Sequence, residues 1–195
     1  MNAYNPNLTV REARAQYFAV NNFGWGGYDD KWVKVEYGWL RFYFPNTKGR
    51  VKVVKYHDLH HILTEYGTSL SGETEIGAWE VATGCTRSLA AWLLNLSALA
   101  WGLVINSKGV YKAFLRGRQS ANLYHLPFND ELLSLKVGDL RRQLNLDERL
   151  HPASPIDNAA FVFWALISVL TLLVIIGIVL TPLILILIGG WWVFG

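Results

Sequence analysis

The sequence predicts a mainly α protein, with a helical metal-binding domain, a small N-terminal β-hairpin or meander, and a C-terminal transmembrane segment. Three observations predict this class. A short stretch of alternating apolar and polar residues comes first, apolar residues recur at helical spacing from position 56, and residues 159–195 contain no charged side chain and no histidine. All 18 basic and 15 acidic side chains therefore lie in residues 1–158, which argues against a purely soluble protein.

Residues 1–55 are the predicted N-terminal region. Strand-favouring residues alternate over 32–37, and a second run follows at 40–44. A turn at 45–49 then precedes a third short run at 51–54, which consists of valines and one lysine. The pattern predicts a hairpin, or a three-stranded meander if the third run is also a strand.

Residues 56–150 are the predicted helical domain. A helix begins at the start of this range, a glycine-flanked break covers 67–72, and Ser71 is the expected N-cap of the next helix. Residues 132–146 combine apolar side chains with interspersed charges, and this pattern predicts a further amphipathic helix.

A run of 20 uncharged residues at 88–107 lies inside this domain. Its length would allow it to cross a membrane, but its polar residues and many alanines favour a core helix that lines an apolar cavity. Lys108, Lys112 and Arg116 follow at intervals of four and share one helical face. This basic face either rests on anionic lipid headgroups or is a solvated surface without a partner.

Residues 151–158 are predicted as a linker and 159–195 as a membrane anchor. The range 159–180 supplies 22 uncharged residues, enough for one span of a hydrocarbon core about 30 Å thick. Pro182 is expected to interrupt the helix, which leaves a kinked or re-entrant segment after it. Basic residues on the domain side place 1–158 on the cytoplasmic, or equivalent matrix, side of the membrane.

One polar cluster stands out as a candidate site. On a helix, His57 and His61 share a face, and Asp58 can lean toward the same point, while Glu73 reaches it from the next helix. Two imidazoles and two carboxylates suit Zn²⁺, whereas two histidines with one carboxylate would also suit Fe²⁺. The same residues are also compatible with a polar helix start that carries solvated histidines. His60 is then either a proton relay beside the ligands or a solvent-facing side chain.

The pattern HDxxH, followed after eleven residues by Glu, resembles the motif of the coenzyme Q (ubiquinone) biosynthesis protein 4 family. The resemblance covers roughly 50–147 and includes 139–146, which is similar to the Leu-Arg-x-x-Leu ending typical of that family. It implies a mainly helical, membrane-associated protein that organises other enzymes of ubiquinone synthesis or performs oxidative decarboxylation with hydroxylation at ring carbon 1. It also implies an apolar tunnel for a polyprenyl tail beside four zinc ligands, His57, Asp58, His61 and Glu73.

Two classes of function follow. The first is a membrane-anchored zinc-binding protein that takes a prenylated quinone or other isoprenoid lipid, such as a precursor, from the bilayer. If it is an enzyme, it is a metal-dependent lyase or oxidative decarboxylase. His60 is then the candidate catalytic residue. The second is a non-catalytic accessory or scaffold subunit with a structural metal, bound to other membrane or quinone-biosynthesis proteins.

The single cysteine excludes an intrachain disulfide and an all-cysteine metal cage. A net charge of +3 is too small to argue for nucleic-acid binding.

Overall fold

The computed structural model describes residues 4–37, 40–85, 88–148 and 151–194. Over these residues the chain is mainly helical, as the sequence predicts. The elements in chain order are α1 (Val10–Val20), β1 (Trp32–Tyr37), β2 (Leu40–Pro45), α2 (Lys48–Thr64), α3 (Leu70–Thr83), α4 (Leu89–Ile105), α5 (Ser107–Arg118), α6 (Asp130–Ser134), α7 (Val137–Gln143) and α8 (Pro155–Phe194).

The two predicted strands pair as an antiparallel hairpin, in a register that sets Trp32 opposite Pro45 and Tyr37 opposite Leu40. The predicted third strand at 51–54 is wrong, because these residues form part of α2. That helix begins after Thr47, whose hydroxyl accepts a hydrogen bond from the Arg50 amide at 3.2 Å. This cap nucleates a helix that a run of valines alone would not favour.

Helices α2 and α3 are joined by a short turn that sets the position of Glu73. The C-cap of α2 is Glu65, which adopts a left-handed conformation with φ of 64°. The N-cap of α3 is Ser69, which accepts a hydrogen bond from the Gly72 amide at 3.3 Å; the prediction of Ser71 as N-cap is wrong. Glu73 therefore lies in the first turn of α3, facing back toward α2.

The core of the domain is centred on α3, which packs against α4 on one side and α5 on the other. The contact with α4 is close at Gly77, where an added Cβ would lie 2.6 Å from the Ala98 Cβ. Trp79, Phe114 and Leu99 are fully buried at these two interfaces. The uncharged run at 88–107 is therefore one helix, α4, with one face against the domain core.

The single amphipathic helix predicted at 132–146 is instead two short helices, α6 and α7. The chain between them pairs with the start of α1: the Val10 amide donates to the Leu135 carbonyl at 2.8 Å, and the Val137 amide donates to the Leu8 carbonyl at 2.9 Å. This pairing holds the segment extended and so interrupts the helix. This backbone pairing joins residues that are far apart in the sequence, so the local helical pattern does not reveal it.

The basic face predicted from 108 to 116 is only partly present. Lys108 and Lys112 are exposed. Arg116 points into the domain instead, where its guanidinium donates to the carbonyls of Thr64 at 2.7 Å and Leu146 at 3.1 Å.

Helix α8 begins at Pro155, inside the predicted linker, with the Ser154 hydroxyl accepting a hydrogen bond from the Asp157 amide at 3.2 Å. Its first turns pack on the domain. The stretch Pro155–Thr181 of this helix is the one segment among the described residues that is long and apolar enough to cross a membrane. Helical backbone continues through Pro182 to Phe194, so no turn exists there for a re-entrant segment, and that part of the prediction is wrong. A kink at Pro182 stays a prediction.

Candidate metal centre

Three side chains from two helices converge at one point: His57 and His61 from α2, and Glu73 from α3. The Nε2 atoms of the two histidines are 3.1 Å apart, and they lie 3.3 and 3.4 Å from the two Glu73 carboxylate oxygens. A tetrahedral zinc ion with bonds of about 2.0–2.1 Å separates its ligand atoms by about 3.3 Å. The spacing of the three groups therefore fits a metal ion between them.

Each histidine is oriented by a hydrogen bond from its other ring nitrogen. Nδ1 of His57 lies 2.8 Å from a carboxylate oxygen of Glu80, and Nδ1 of His61 lies 3.0 Å from the Tyr66 carbonyl oxygen. Because both partners are acceptors, both Nδ1 atoms carry the proton. Such outer hydrogen bonds are typical of metal-binding histidines, whose remaining nitrogen is then free to coordinate.

The consequence is that all three groups are acceptors as long as both imidazoles are neutral. With protons on both Nδ1 atoms, the Nε2 lone pairs of His57 and His61 face each other and the carboxylate of Glu73. The side chains of His61 and His57 are only 1% and 22% exposed, so the predicted alternative of solvated histidines is wrong, whereas the Glu73 side chain is 40% exposed. A cation at the centre would satisfy all three groups; it would be either a metal ion or an additional proton on an imidazole.

Glu80 bonds His57 on the side that faces away from Glu73, and the sequence analysis did not identify it. Its side chain is fully buried, and one carboxylate oxygen accepts hydrogen bonds from Nδ1 of both His57 and His60 at 2.8 Å. The other oxygen accepts from the Asn95 amide at 2.5 Å and from the Tyr124 hydroxyl. All four acceptor positions of the carboxylate are therefore used, which allows a charge to persist in the core.

The charges of the two glutamates shift the pKa values of the site. Burial opposes protonation of His57, but the negative charges of Glu80 and Glu73 outweigh it and raise the His57 pKa well above its ordinary value. Burial alone would raise the pKa of Glu80, yet the neighbouring His57 and His60 lower it well below its ordinary range. Hydrogen bonds from His57 and His61 likewise lower the pKa of Glu73 against the effect of burial. The site thus carries a concentration of negative charge that favours a cation.

The fourth predicted ligand, Asp58, is not among the converging groups. It lines the same cavity, but one carboxylate oxygen accepts a hydrogen bond from the Tyr28 hydroxyl at 2.5 Å. Asp58 is buried, and burial raises its pKa. The structure therefore brings together three of the four predicted ligands, and these three line the cavity.

His60 is neither at the surface nor in the cluster. It is fully buried, with Nδ1 hydrogen-bonded to Glu80 and Nε2 accepting a hydrogen bond from the Leu123 amide at 3.0 Å. Burial lowers its pKa, and both ring nitrogens are engaged in hydrogen bonds within the protein. The expectation of a solvent-facing side chain is therefore wrong, and His60 helps to hold Glu80 in place. Its role as a proton relay stays a prediction.

A cavity of about 600 Å³ adjoins the three converging groups. Its apolar walls come from the segment before the hairpin, from β1, from α2 and from α4, through Phe23, Trp32, Val33, Val54, Leu94 and Ala98. Two cationic side chains, Lys34 and Arg50, also line it. The volume lies within the usual range for small-ligand sites, and the lining combines apolar walls with a few polar groups.

No protein-family model matches the chain, and neither a curated protein nor a solved structure matches it. The family resemblance of the HDxxH motif therefore rests on the residues themselves.

Proposed function

We propose that this chain is a membrane-anchored metalloprotein that binds a divalent ion at His57, His61 and Glu73 and takes a lipid into the adjoining cavity. The observation that carries the proposal is the convergence of three acceptors, one buried and two partly exposed, in which the protonated nitrogen of each histidine is held by an outer acceptor. Zinc is the proposed ion because nitrogen and oxygen ligands at tetrahedral spacing suit it. Fe²⁺ is the alternative, because two histidines and one carboxylate with open positions are also its preferred set.

The proposed ligand of the cavity is a prenylated quinone or a precursor of one. Apolar walls that include Leu94 and Ala98 suit a polyprenyl tail. The chemical class comes from the resemblance of the HDxxH motif to the ubiquinone-biosynthesis family, and the cavity supports it by its size and lining. C-terminal anchorage through α8 would keep the domain where such lipids are found.

Three converging side chains beside a cavity support a catalytic rather than a purely structural centre. Catalytic zinc sites have three protein ligands and one exchangeable position, whereas structural sites are closed by four side chains. A metal ion held here would supply Lewis-acid polarisation of a ring carboxylate or phenolate oxygen, or a lowered pKa of a bound water. Glu80 and the Tyr66 carbonyl would keep both imidazoles in the orientation that this requires. The activity that we propose is action at ring carbon 1 of the bound lipid.

A second candidate is an accessory or scaffold subunit in which the ion only ties α2 to α3. The specific observation in its favour is the exposed aromatic surface beside the site, where Trp25 is 94% exposed and Phe23 lies next to the cavity. Exposed aromatic side chains are enriched at protein interfaces. On this hypothesis, loss of the metal would unfold the domain or detach it from its partners without a separate loss of chemistry.

Mass spectrometry of lipids extracted from the detergent-purified protein tests the first proposal. We expect a prenylated aromatic compound in the wild type and its loss in Val54→Trp and Leu94→Trp, which narrow the cavity. The matched control is Val20→Trp, because Val20 is exposed on α1 and does not line the cavity. Empty extracts from wild-type protein with full metal occupancy would favour the scaffold hypothesis instead.

A further inference from the structure

The outer face of α4 is an exposed apolar surface. Its large apolar side chains are between 39% and 79% exposed: Leu89, Leu93, Leu94, Trp101, Val104 and Ile105. The most exposed of these side chains lie near the two ends of the helix, where Leu89 is 70% and Val104 is 79% exposed. The opposite face is buried and carries Asn95, which bonds Glu80. The helix is therefore half inside the protein and half uncovered.

This uncovered face lies next to the helix that is apolar enough to span a membrane. Helix α4 packs along the first turns of α8, and Trp92 stacks on Trp164 with ring centroids 4.9 Å apart. On either side of Trp164, α8 exposes Phe163, Val162 and Leu166. The exposed apolar side chains of two contacting helices thus flank one aromatic stack.

The charges near α4 also indicate what covers it. No charged residue occurs in 88–107, and the first cations after it, Lys108 and Lys112, are exposed at the beginning of α5. An apolar surface that ends in exposed lysines matches a membrane leaflet, in which hydrocarbon meets anionic headgroups. A helix of 17 residues is about 26 Å long, which is too short to cross a bilayer on its own.

We propose that the outer face of α4 lies in the hydrocarbon of the leaflet nearest the domain, alongside α8, with Lys108 and Lys112 among the lipid headgroups. The inference rests on the proposed anchorage through α8 but does not require the metal. It has a consequence for the cavity, because Leu94 both lines the cavity and is half exposed on α4. The cavity then opens at the membrane surface, and a lipid can enter it without crossing water.

Site-directed fluorescence in vesicles tests this arrangement. Single cysteines replace Leu89 and Val104 on α4, Leu173 on α8 and Val20 on α1, all of which are exposed. Each is labelled with the environment-sensitive dye NBD, and the full chain is reconstituted into phosphatidylcholine vesicles that contain phosphatidylglycerol. The native Cys85 is fully buried and burial raises its pKa to about 12, so the unsubstituted protein serves as the labelling blank.

We expect nitroxide-labelled lipids to quench the dye at Leu89→Cys and Val104→Cys as strongly as at Leu173→Cys, and iodide in the buffer to quench only the dye at Val20→Cys. Iodide quenching at both α4 positions, with lipid quenching at Leu173→Cys, would overturn the inference while leaving the anchorage intact. Shielding from both quenchers would also overturn it, because protein would then cover the face. Loss of lipid quenching at Leu173→Cys itself would contradict the anchorage on which the inference rests.

Discussion

Glu80 accepts a hydrogen bond from Nδ1 of His57 at 2.8 Å, and this bond turns the other nitrogen of His57 toward Glu73. The two glutamates are seven residues apart on α3, so they lie on the same face, one behind the imidazole and one in front of it. One buried carboxylate thereby fixes the tautomer and the orientation of a histidine that faces another carboxylate. This relationship gives His57, His61 and Glu73 an arrangement that could hold a metal ion.

Replacement of Glu80 by Gln should weaken metal binding without removing a ligand. The neutral amide cannot accept from all four present donors, and the loss of such outer partners typically lowers metal affinity 10–100-fold. Competition titration against a chromogenic chelator measures the change. Glu75→Gln is the matched control on the same helix, because Glu75 bonds Asn106 rather than the site. Equal affinity in Glu80→Gln and wild type would show that the outer bond does not support the metal.

Replacement of Asp58 by Asn should leave the metal in place. Because the Asp58 carboxylate accepts from Tyr28 and does not converge with the other three groups, the change turns a charge-assisted hydrogen bond into a neutral one, since the Asn amide oxygen still accepts. A hydrogen bond to a charged group contributes about 1.5–3 kcal/mol to the free energy of unfolding, and a neutral one contributes less. We therefore expect Tyr28→Phe to lower stability more than Asp58→Asn does, and both variants to retain the metal, as measured by denaturant unfolding and elemental analysis. Loss of metal in Asp58→Asn alone would restore the four-ligand set.

Thermal stability of the metal-free protein should fall as the pH rises above 6.5. The folded-state pKa of His57 lies well above its ordinary value of 6.5, so folding takes up a proton there, and the resulting stability is present below 6.5 and lost as the pH rises through the raised pKa. A bound metal replaces this proton, so the metal-loaded protein should show no such decline. Melting temperatures recorded for both forms across this range check the prediction, and parallel curves would contradict it.

The opposite dependence applies on the acid side. The pKa values of Glu73 and Glu80 are lowered from 4.5, so their contribution to stability is present above 4.5 and is lost as the pH falls through the lowered values. Neutral histidine is required for coordination, so metal affinity should also fall with acidification. Because the pKa of His57 is raised, this loss should begin above pH 6.5.

The stack of Trp92 on Trp164 should couple α8 to the domain. Aromatic pairs of this kind contribute about 0.5–1.5 kcal/mol beyond their buried area. We expect a coupling energy of this size from a double-mutant cycle of Trp92→Leu and Trp164→Leu, measured by unfolding in detergent. A coupling energy of zero would mean that α8 is an independent anchor.

Sequence reasoning predicted the elements that depend on local pattern. The hairpin at 32–45, a helix that carries His57 and His61, and a charge-free C-terminal helix are all readable from alternation, spacing and composition. It failed where a cap or a tertiary contact decides the outcome. The N-cap Thr47 starts a helix that includes the valines at 51–54. Backbone pairing of the 135–137 segment with the start of α1 interrupts the helix that was predicted at 132–146.

The same division holds for the site. Helical spacing brings His57 and His61 together, and the position of Glu73 at the start of α3 completes the group. The i, i+7 relation of Glu73 to Glu80 was a readable signal, but the other partners of Glu80 come from α4 and from the segment after α5, which spacing cannot reveal. Asp58 lies outside this group and bonds Tyr28, which is thirty residues away in the chain, so that spacing could not reveal the contact.

Metal content tests the central claim most directly. Elemental analysis of the detergent-purified wild type beside Glu73→Ala, with Glu75→Ala as control and melting temperatures for all three, separates loss of the ion from loss of the fold. We predict one zinc or iron ion per chain in the wild type and in Glu75→Ala, and none in a folded Glu73→Ala. A well-folded wild type without metal, or full occupancy in Glu73→Ala, would contradict the account.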